Sequence, residues 1–289
     1  MIYQSIFRPD LFAGQTILVT GGGSGIGRAA AHELASLGAQ VVIVGRKLEK
    51  LARVKAEIEA AGGLVTATSA GSVQAIPANI KVEAEVIALF DQVLAEHGQI
   101  HGLVNNAGGQ FASPAEFISL KGWTAVLETN LTGTFLMCRE AYNRGMNVHG
   151  GAIVNMLMEN TRGFPGMAHS AAARAGIENL TKTLAVEWAR SGVRVNAVAP
   201  GLINSSGLEN YPEAMRPIIE QTIQDTPAKR MGTESEVAAV ITFLLSPAAA
   251  YISGESIKID GAGSLWRKTW LIEDHKNAPL PYNGFTDSD

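Results

Sequence analysis

Thr20-Gly21-Gly22-Gly23-Ser24-Gly25-Ile26-Gly27 is the stretch of this sequence whose residue types most directly suit a chemical task. Glycines spaced Gly-x-x-x-Gly-x-Gly let the main chain turn sharply and approach a diphosphate with no Cβ in between. A helix opening at Gly25 adds free N–H groups and a partial positive charge, so Gly21, Ser24, Gly25, Ile26 and Gly27 form a candidate dinucleotide seat. The spacing departs from the strict Gly-x-Gly-x-x-Gly fingerprint, and a glycine-rich hairpin turn is the other structure such a run can make. Context favours the seat: the apolar run Ile17-Leu18-Val19 leads in, and a helix-length stretch leads out. A second apolar run ends at Val44, where NAD-binding domains usually present a carboxylate to the ribose 2′-hydroxyl. Gly45-Arg46-Lys47 follow instead. A guanidinium suits a 2′-phosphate held by charge-assisted hydrogen bonds, which selects NADP(H). The plainer alternative has Arg46 and Lys47 begin a solvated helix.

The elements that must position this seat alternate along the chain. Strand-length apolar runs fall at 17–19, 41–44, 102–104, 152–154, 193–198 and 256–259, with a weaker one at 73–80 that contains Pro77. Helix-length stretches fall at 25–37, 48–61, 81–97, 121–146, 168–190 and 234–245. In the second of these Leu48, Leu51, Val54 and Ile58 recur at helical spacing with charges between them. Strands apolar on both faces belong in a parallel sheet covered by helices, and the alternation implies right-handed crossovers. The expected architecture is α/β: a doubly wound, Rossmann-type sheet of seven parallel strands with helices on both faces, in one domain over 1–289. Residues 204–232, with Pro212, Pro217 and Pro227, read as a helical lid or loop over the substrate. The tail over 264–289 lacks periodicity from Trp266 on and is expected to pack on a neighbour or fray.

Composition narrows the function. The 289 residues are 46% hydrophobic, but no run reaches the ~20 apolar residues of a membrane span, and no export signal opens the chain. The net charge of −4 disfavours a general nucleic-acid surface. The single cysteine, Cys138, reads as a small core hydrophobe in a reducing compartment. A cytoplasmic protein acting on a small molecule is the class that remains, and no metal is called for.

Further motifs carry a resemblance. With the glycine turn, Asn105-Asn106-Ala107-Gly108 after the fourth strand, Asn130 in the long helix and Pro200-Gly201 after the sixth strand stand in the order found in classical short-chain dehydrogenase/reductases. The sequence resembles that family over nearly its whole length. The resemblance implies that Asn79, where the family usually has an aspartate, lies beside the adenine ring. Asn106, Ala107 and Gly108 would pack near the adenosine ribose, and Ile203, after Pro200 and Gly201, would meet the nicotinamide carboxamide through its backbone. It also implies a homotetramer built through 168–190 and the last strand.

The family's usual catalysis uses a serine, a tyrosine and a lysine, the last two four residues apart on one helix face. Ser170 and Arg174 stand at the tyrosine and lysine positions, and Leu157 or Met158 at that of the serine; Asn130 alone is retained. A serine hydroxyl is too weak an acid to replace a phenol, so ordinary ketone reduction is not expected. One branch resembles the chain more closely: the peroxisomal-type trans-2-enoyl-CoA reductases. The likeness includes 105–111, Lys121-Gly122-Trp123, 127–135, His169-Ser170 with Ala172-Ala173-Arg174-Ala175-Gly176, Pro227-Ala228-Lys229-Arg230 and 243–249. The sequence ends in Asp287-Ser288-Asp289 rather than a Ser-Lys-Leu-type peroxisomal address.

Hydride delivery to the β-carbon of an enoyl thioester makes an enolate, which needs donors on its oxygen and a later proton on the α-carbon, not a phenol. In that chemistry Arg174 would hold the nicotinamide ribose and add positive charge. Ser170 or His169 would donate to the enolate oxygen, or Ser170 would merely open the pocket and His169 merely pack. Asn130 would anchor a proton-carrying water, and Tyr211 in the lid is a second candidate acid. Arg216, Lys229 and Arg230 would either meet coenzyme A phosphates or serve as surface charge. Two other functions fit the same pattern: a dehydrogenase or reductase of an aliphatic or acyclic terpenoid alcohol, aldehyde or acyl-CoA in catabolism, and a silent NADP(H)-binding protein.

Overall fold

Short apolar segments that alternate their side chains between two faces need cover on both sides, and the chain supplies it. The computed structural model describes residues 2–61, 71–205, 207–208, 213–266, 270–273 and 278–286. Seven parallel strands, β1 (Thr16–Thr20), β2 (Gln40–Gly45), β3 (Ser72–Pro77), β4 (Gly102–Asn105), β5 (Gly151–Met156), β6 (Val193–Pro200) and β7 (Ser256–Ile259), form the sheet. Their order is β7-β6-β5-β4-β1-β2-β3. The chain builds outward from β1 to β3, crosses back, and builds outward the other way from β4. A crevice therefore opens at the carboxyl ends of β1 and β4, where such folds bind ligands. Pro77 is tolerated because it is the last residue of β3, an edge strand.

The helices are α1 (Gly25–Ser36), α2 (Leu48–Ala61), α3 (Glu83–His97), α4 (Leu120–Leu127), α5 (Gly133–Ala141), α6 (Ala168–Glu187), α7 (Arg216–Asp225) and α8 (Glu234–Leu245). Ile17, Val19 and Ile43 pack on one side with α1 and α8, while Leu18, Val42 and Val44 pack on the other with α3 and α5. That split is the two-residue period of the strands made visible. The helix expected over 121–146 is present with two changes of pitch, π-turn segments at Glu128–Thr132 and Tyr142–Met146. The predicted lid contains α7 and a short parallel bridge from Ile203–Asn204 to Gly232–Thr233. Thr233 and Glu236 then start α8 with a reciprocal capping box.

The tail differs from expectation. Phe285–Thr286 pairs antiparallel with Ile2–Tyr3, Thr233 Oγ1 donates to the Tyr282 carbonyl at 2.6 Å, and the Arg28 guanidinium lies 4.3 Å from the Phe285 ring centre. Residues 278–286 thus dock on their own chain, over α1 and the start of α8. Single aromatic anchors hold them, and these leave no periodic trace in a sequence.

Candidate active site

The glycine turn at the end of β1 is bound tightly to the turn after β4. Thr20 Oγ1 accepts the main-chain N–H groups of Asn106 and Ala107, each at 3.0 Å, and Asn106 Nδ2 donates to the Thr20 carbonyl at 3.0 Å. Gly21 takes a φ of +69°, where a side chain would be strained, and a Cβ on it would sit 2.7 Å from Asn106 Nδ2. At Gly27 a Cβ would collide with the Gly21 carbonyl and lie 2.5 Å from Asn106 Nδ2. Ser24 precedes α1 in extended conformation and its hydroxyl makes no cap bond, so the first amides of α1 keep their donors for a ligand. Gly25 opens that helix and Ile26 follows, partly buried against the core. This is a cradle that a dinucleotide diphosphate fits. The Gly21 amide donates to the Val44 carbonyl at 2.7 Å, which brings the end of β2 alongside, with Arg46 and Lys47 exposed just beyond it. Asn79 lies beyond β3, half-buried, its main-chain N–H bonded to Glu85 Oε2 at 2.7 Å.

On the other side of the crevice, α6 brings its first turns to the ends of β4 and β5. A buried chain of amides fixes it there: Asn105 Nδ2 donates to Asn155 Oδ1, and Asn155 Nδ2 to Thr181 Oγ1, each at 2.9 Å. Cys138 closes this network as an acceptor from Asn105 Nδ2, and burial pushes its thiol up to about 12, which suits a core residue rather than a nucleophile. Arg174 is buried, with Nη1 donating to the Met156 carbonyl at 2.5 Å. Burial draws its pKa down to about 10, and no carboxylate among the described residues pairs with it. It remains a cation at neutral pH. Asn130 sits fully buried in the first π-turn segment, accepting from the Gly109 N–H at 2.8 Å and donating to the Gly109 carbonyl at 3.1 Å. That bidentate clamp fixes the loop after β4.

Ser170 is fully buried and donates to Gln110 Oε1 at 2.9 Å, with Met158 Sδ at 3.7 Å. Met158, not Leu157, therefore reaches Ser170; Leu157 is buried with Ile177, Ala197 and Ala199. The His169 Nδ1 accepts the Ser170 N–H at 2.7 Å, its ring meets Phe111 edge-on at 4.3 Å, and burial lowers its pKa. Gln110 was visible in sequence only as part of the 105–111 likeness, and nothing in its type marked it as the partner of Ser170.

Comparison with known proteins decides the family. The family model described as enoyl-(acyl carrier protein) reductase matches residues 21–263. The chain belongs to the short-chain dehydrogenase/reductase family. It is 36% identical over 250 residues to a Bacillus subtilis protein named "Probable 2,4-dienoyl-CoA reductase", (2E)-enoyl-CoA-producing, covering 86% of this chain and 95% of that one. It is 36% identical over 262 residues to the peroxisomal 2,4-dienoyl-CoA reductase, (3E)-enoyl-CoA-producing, of Rattus norvegicus, covering 90% and 87%. Among solved structures, the citronellol catabolism dehydrogenase of Pseudomonas aeruginosa PAO1 superposes with a TM-score of 0.80 at 55% identity, covering 91% of this chain and all of that one.

The short-chain dehydrogenase/reductase is thus an oxidoreductase of a family that uses a nicotinamide cofactor, and its glycine cradle fits one. Around the crevice, Gly201 passes so close to Asp260 that a Cβ would lie 2.9 Å from its Cα, and the Pro200 carbonyl accepts the Glu159 N–H at 3.0 Å. Gly232 N–H bonds the Leu202 carbonyl at 3.0 Å, so the amide and carbonyl of Ile203 face the opposite edge of that bridge. Tyr211 lies outside the described residues. Of the three cations considered for coenzyme A, Arg230 forms a bidentate pair with Glu236 at 2.9 and 2.6 Å and Lys229 donates to the Gln224 carbonyl at 2.8 Å. Arg216 lies 3.7 Å from Glu213. All three already have partners within the fold. No helix among the described residues is long and apolar enough to cross a membrane.

Proposed function

We propose that this oxidoreductase uses NADPH to saturate the activated double bond of a trans-2-enoyl-CoA, with hydride arriving at the β-carbon. The observation that carries this reading is Arg174, a buried cation at the ends of β4 and β5 without a carboxylate partner among the described residues. A buried uncompensated charge is costly, and an anion formed in the site offsets that cost. An enolate oxygen is such an anion. Arg174 stabilises it electrostatically, and Ser170 gives it a hydrogen bond by turning its proton from Gln110. Asn130 holds the Gly109 loop still. NADPH, when bound, supplies the hydride; Gly21 to Gly27 seat its diphosphate, Arg46 and Lys47 its 2′-phosphate, Asn79, Asn106, Ala107 and Gly108 its adenosine half, Arg174 its nicotinamide ribose, and Pro200, Gly201 and Ile203 its carboxamide.

Relatives named 2,4-dienoyl-CoA reductases support testing conjugated dienoyl thioesters beside simple enoyl ones. A second reading, action on an acyclic terpenoid alcohol, aldehyde or acyl-CoA, is supported by the 55% identity to a citronellol catabolism dehydrogenase. Absorbance at the NADPH band with crotonyl-, decenoyl- and decadienoyl-CoA, and with citronellol plus NADP+, separates them. NADPH loss with the thioesters supports the first, alcohol-dependent NADP+ reduction alone supports the second, and tight binding without turnover on any of them leaves a silent binding protein. Loss of NADPH affinity in Arg46→Ala with NADH affinity unchanged tests the cofactor. We also propose a homotetramer through α6 and β7. A groove of about 380 Å³ along α5 and α6, lined by Leu131, Phe135, Gly176 and Leu180, supports it, and sedimentation as a monomer would refute it.

A further inference from the structure

Gly108 follows β4 on the crevice side, exposed, with a backbone φ outside the left-handed region. Its glycine is therefore not required by the main chain. Space requires it: a Cβ there would fall inside contact distance of Arg174 Nη2, 3.5 Å from Arg174 Cζ and 3.1 Å from Asn130 Oδ1. Asn130 cannot give way cheaply, and Arg174, whose Nη2 is the end of a long side chain, can do so only by moving its guanidinium off its anchor on Met156. Asn130 is clamped to Gly109 by two hydrogen bonds, and Arg174 is buried and anchored through Nη1 to Met156. The next residue, Gly109, shows the contrast, with nothing within 4 Å of the corresponding point.

We infer that Gly108 is a positioning residue for Arg174, the two forming a matched pair that fixes where the buried cation sits in the crevice. One end of the guanidinium is held by Met156, and the Nη2 end crosses the notch left by the bare Cα of Gly108. A lysine, with one terminal nitrogen and no fork, would leave that notch free. A side chain at 108 and a guanidinium at 174 exclude each other, whereas a methyl at 108 and an ammonium at 174 do not. This rests on the assignment of Arg174 to the cofactor side of the site.

The test uses four full-length proteins: wild type, Gly108→Ala, Arg174→Lys and the double variant. NADPH dissociation constants come from titration of nucleotide fluorescence, and melting temperatures are taken without nucleotide. Gly108→Ala is expected to weaken NADPH by about tenfold, the scale of coupling between touching residues. The double variant is expected to bind as well as Arg174→Lys alone, so the second substitution rescues the first. Independent effects in the dissociation constants overturn the pairing. So does coupling seen only in the melting temperatures, which would mark plain packing. If Gly108→Ala does not fold, the double variant must fold and bind like Arg174→Lys, and its failure to do so also overturns the pairing. A wild-type protein that binds no NADPH removes the cofactor assignment and this inference together. Coupled binding without turnover of any unsaturated thioester leaves the pairing intact and defeats only the proposed reaction.

Discussion

The Arg174 guanidinium meets the Met156 carbonyl oxygen across the crevice, helix α6 reaching the last residue of β5. This bond holds a charge in place, and it is a weak counterweight to burying one. Arg174→Ala therefore removes two opposing effects. An unpaired Met156 carbonyl costs about 1–3 kcal/mol, while loss of the uncompensated charge returns a similar amount. The melting temperature is expected to move by only a few degrees, while NADPH-dependent turnover falls by about 100-fold or more. Thermal melts beside steady-state rates check both. A large loss of stability with turnover retained would make Arg174 a structural residue.

Gly27 is where the cradle has no slack. A methyl there would strike the Gly21 carbonyl and Asn106 Nδ2, both rigid parts of the turn. Gly27→Ala is expected to cost about 3 kcal/mol by overpacking and to abolish dinucleotide binding. Gly109→Ala, facing open space, should change stability by less than about 0.5 kcal/mol. Denaturant titrations of the two variants give the comparison; equal costs would show that the turn can relax.

Much of this was legible in the sequence because backbone demands write themselves in residue types. The turn at Gly21–Gly27, the apolar strands and Asn106 report local geometry, and local geometry survives translation into a string of letters. The replacements Ser170 and Arg174 were equally plain. What could not be read was which side chains meet across the crevice. Gln110 reaches Ser170 through a loop whose path depends on the clamp at Asn130, and Met158 rather than the buried Leu157 reaches Ser170 from just beyond the end of β5. The docked tail rests on Tyr282 and Phe285, isolated anchors without a period.

The same tail carries a pH prediction. Glu33 is fully buried under it, accepting from Ser5 Oγ and, at 3.1 Å, from the Tyr282 hydroxyl, and burial raises its pKa above 4.5. A carboxyl with a raised folded pKa contributes stability that is full below the unfolded value and is lost as pH rises through the folded one. Glu33→Gln removes that loss. The variant should match wild type near pH 4 and exceed it in melting temperature by a growing margin toward neutral pH. A margin that is constant across the range would show that Glu33 does not titrate in the fold.

Ser170 is the sharpest test of the chemistry. Its one proton points to Gln110 Oε1 at 2.9 Å, so it serves an enolate only by leaving that acceptor. If it does, Ser170→Ala lowers kcat by about 10–100-fold, the loss expected of one oxyanion donor, while NADPH affinity stays within about twofold of wild type. Stability should fall by about 1 kcal/mol as Gln110 loses a buried partner. Installing the family's phenol with Ser170→Tyr is not expected to help, because the position is fully buried beside Met158 and has no room for a ring. Stopped-flow traces of NADPH oxidation with crotonyl-CoA resolve the step. An unchanged kcat in Ser170→Ala would reduce the hydroxyl to a small group that packs, and would leave Arg174 and the His169 Nε2 as the candidates for the substrate oxygen.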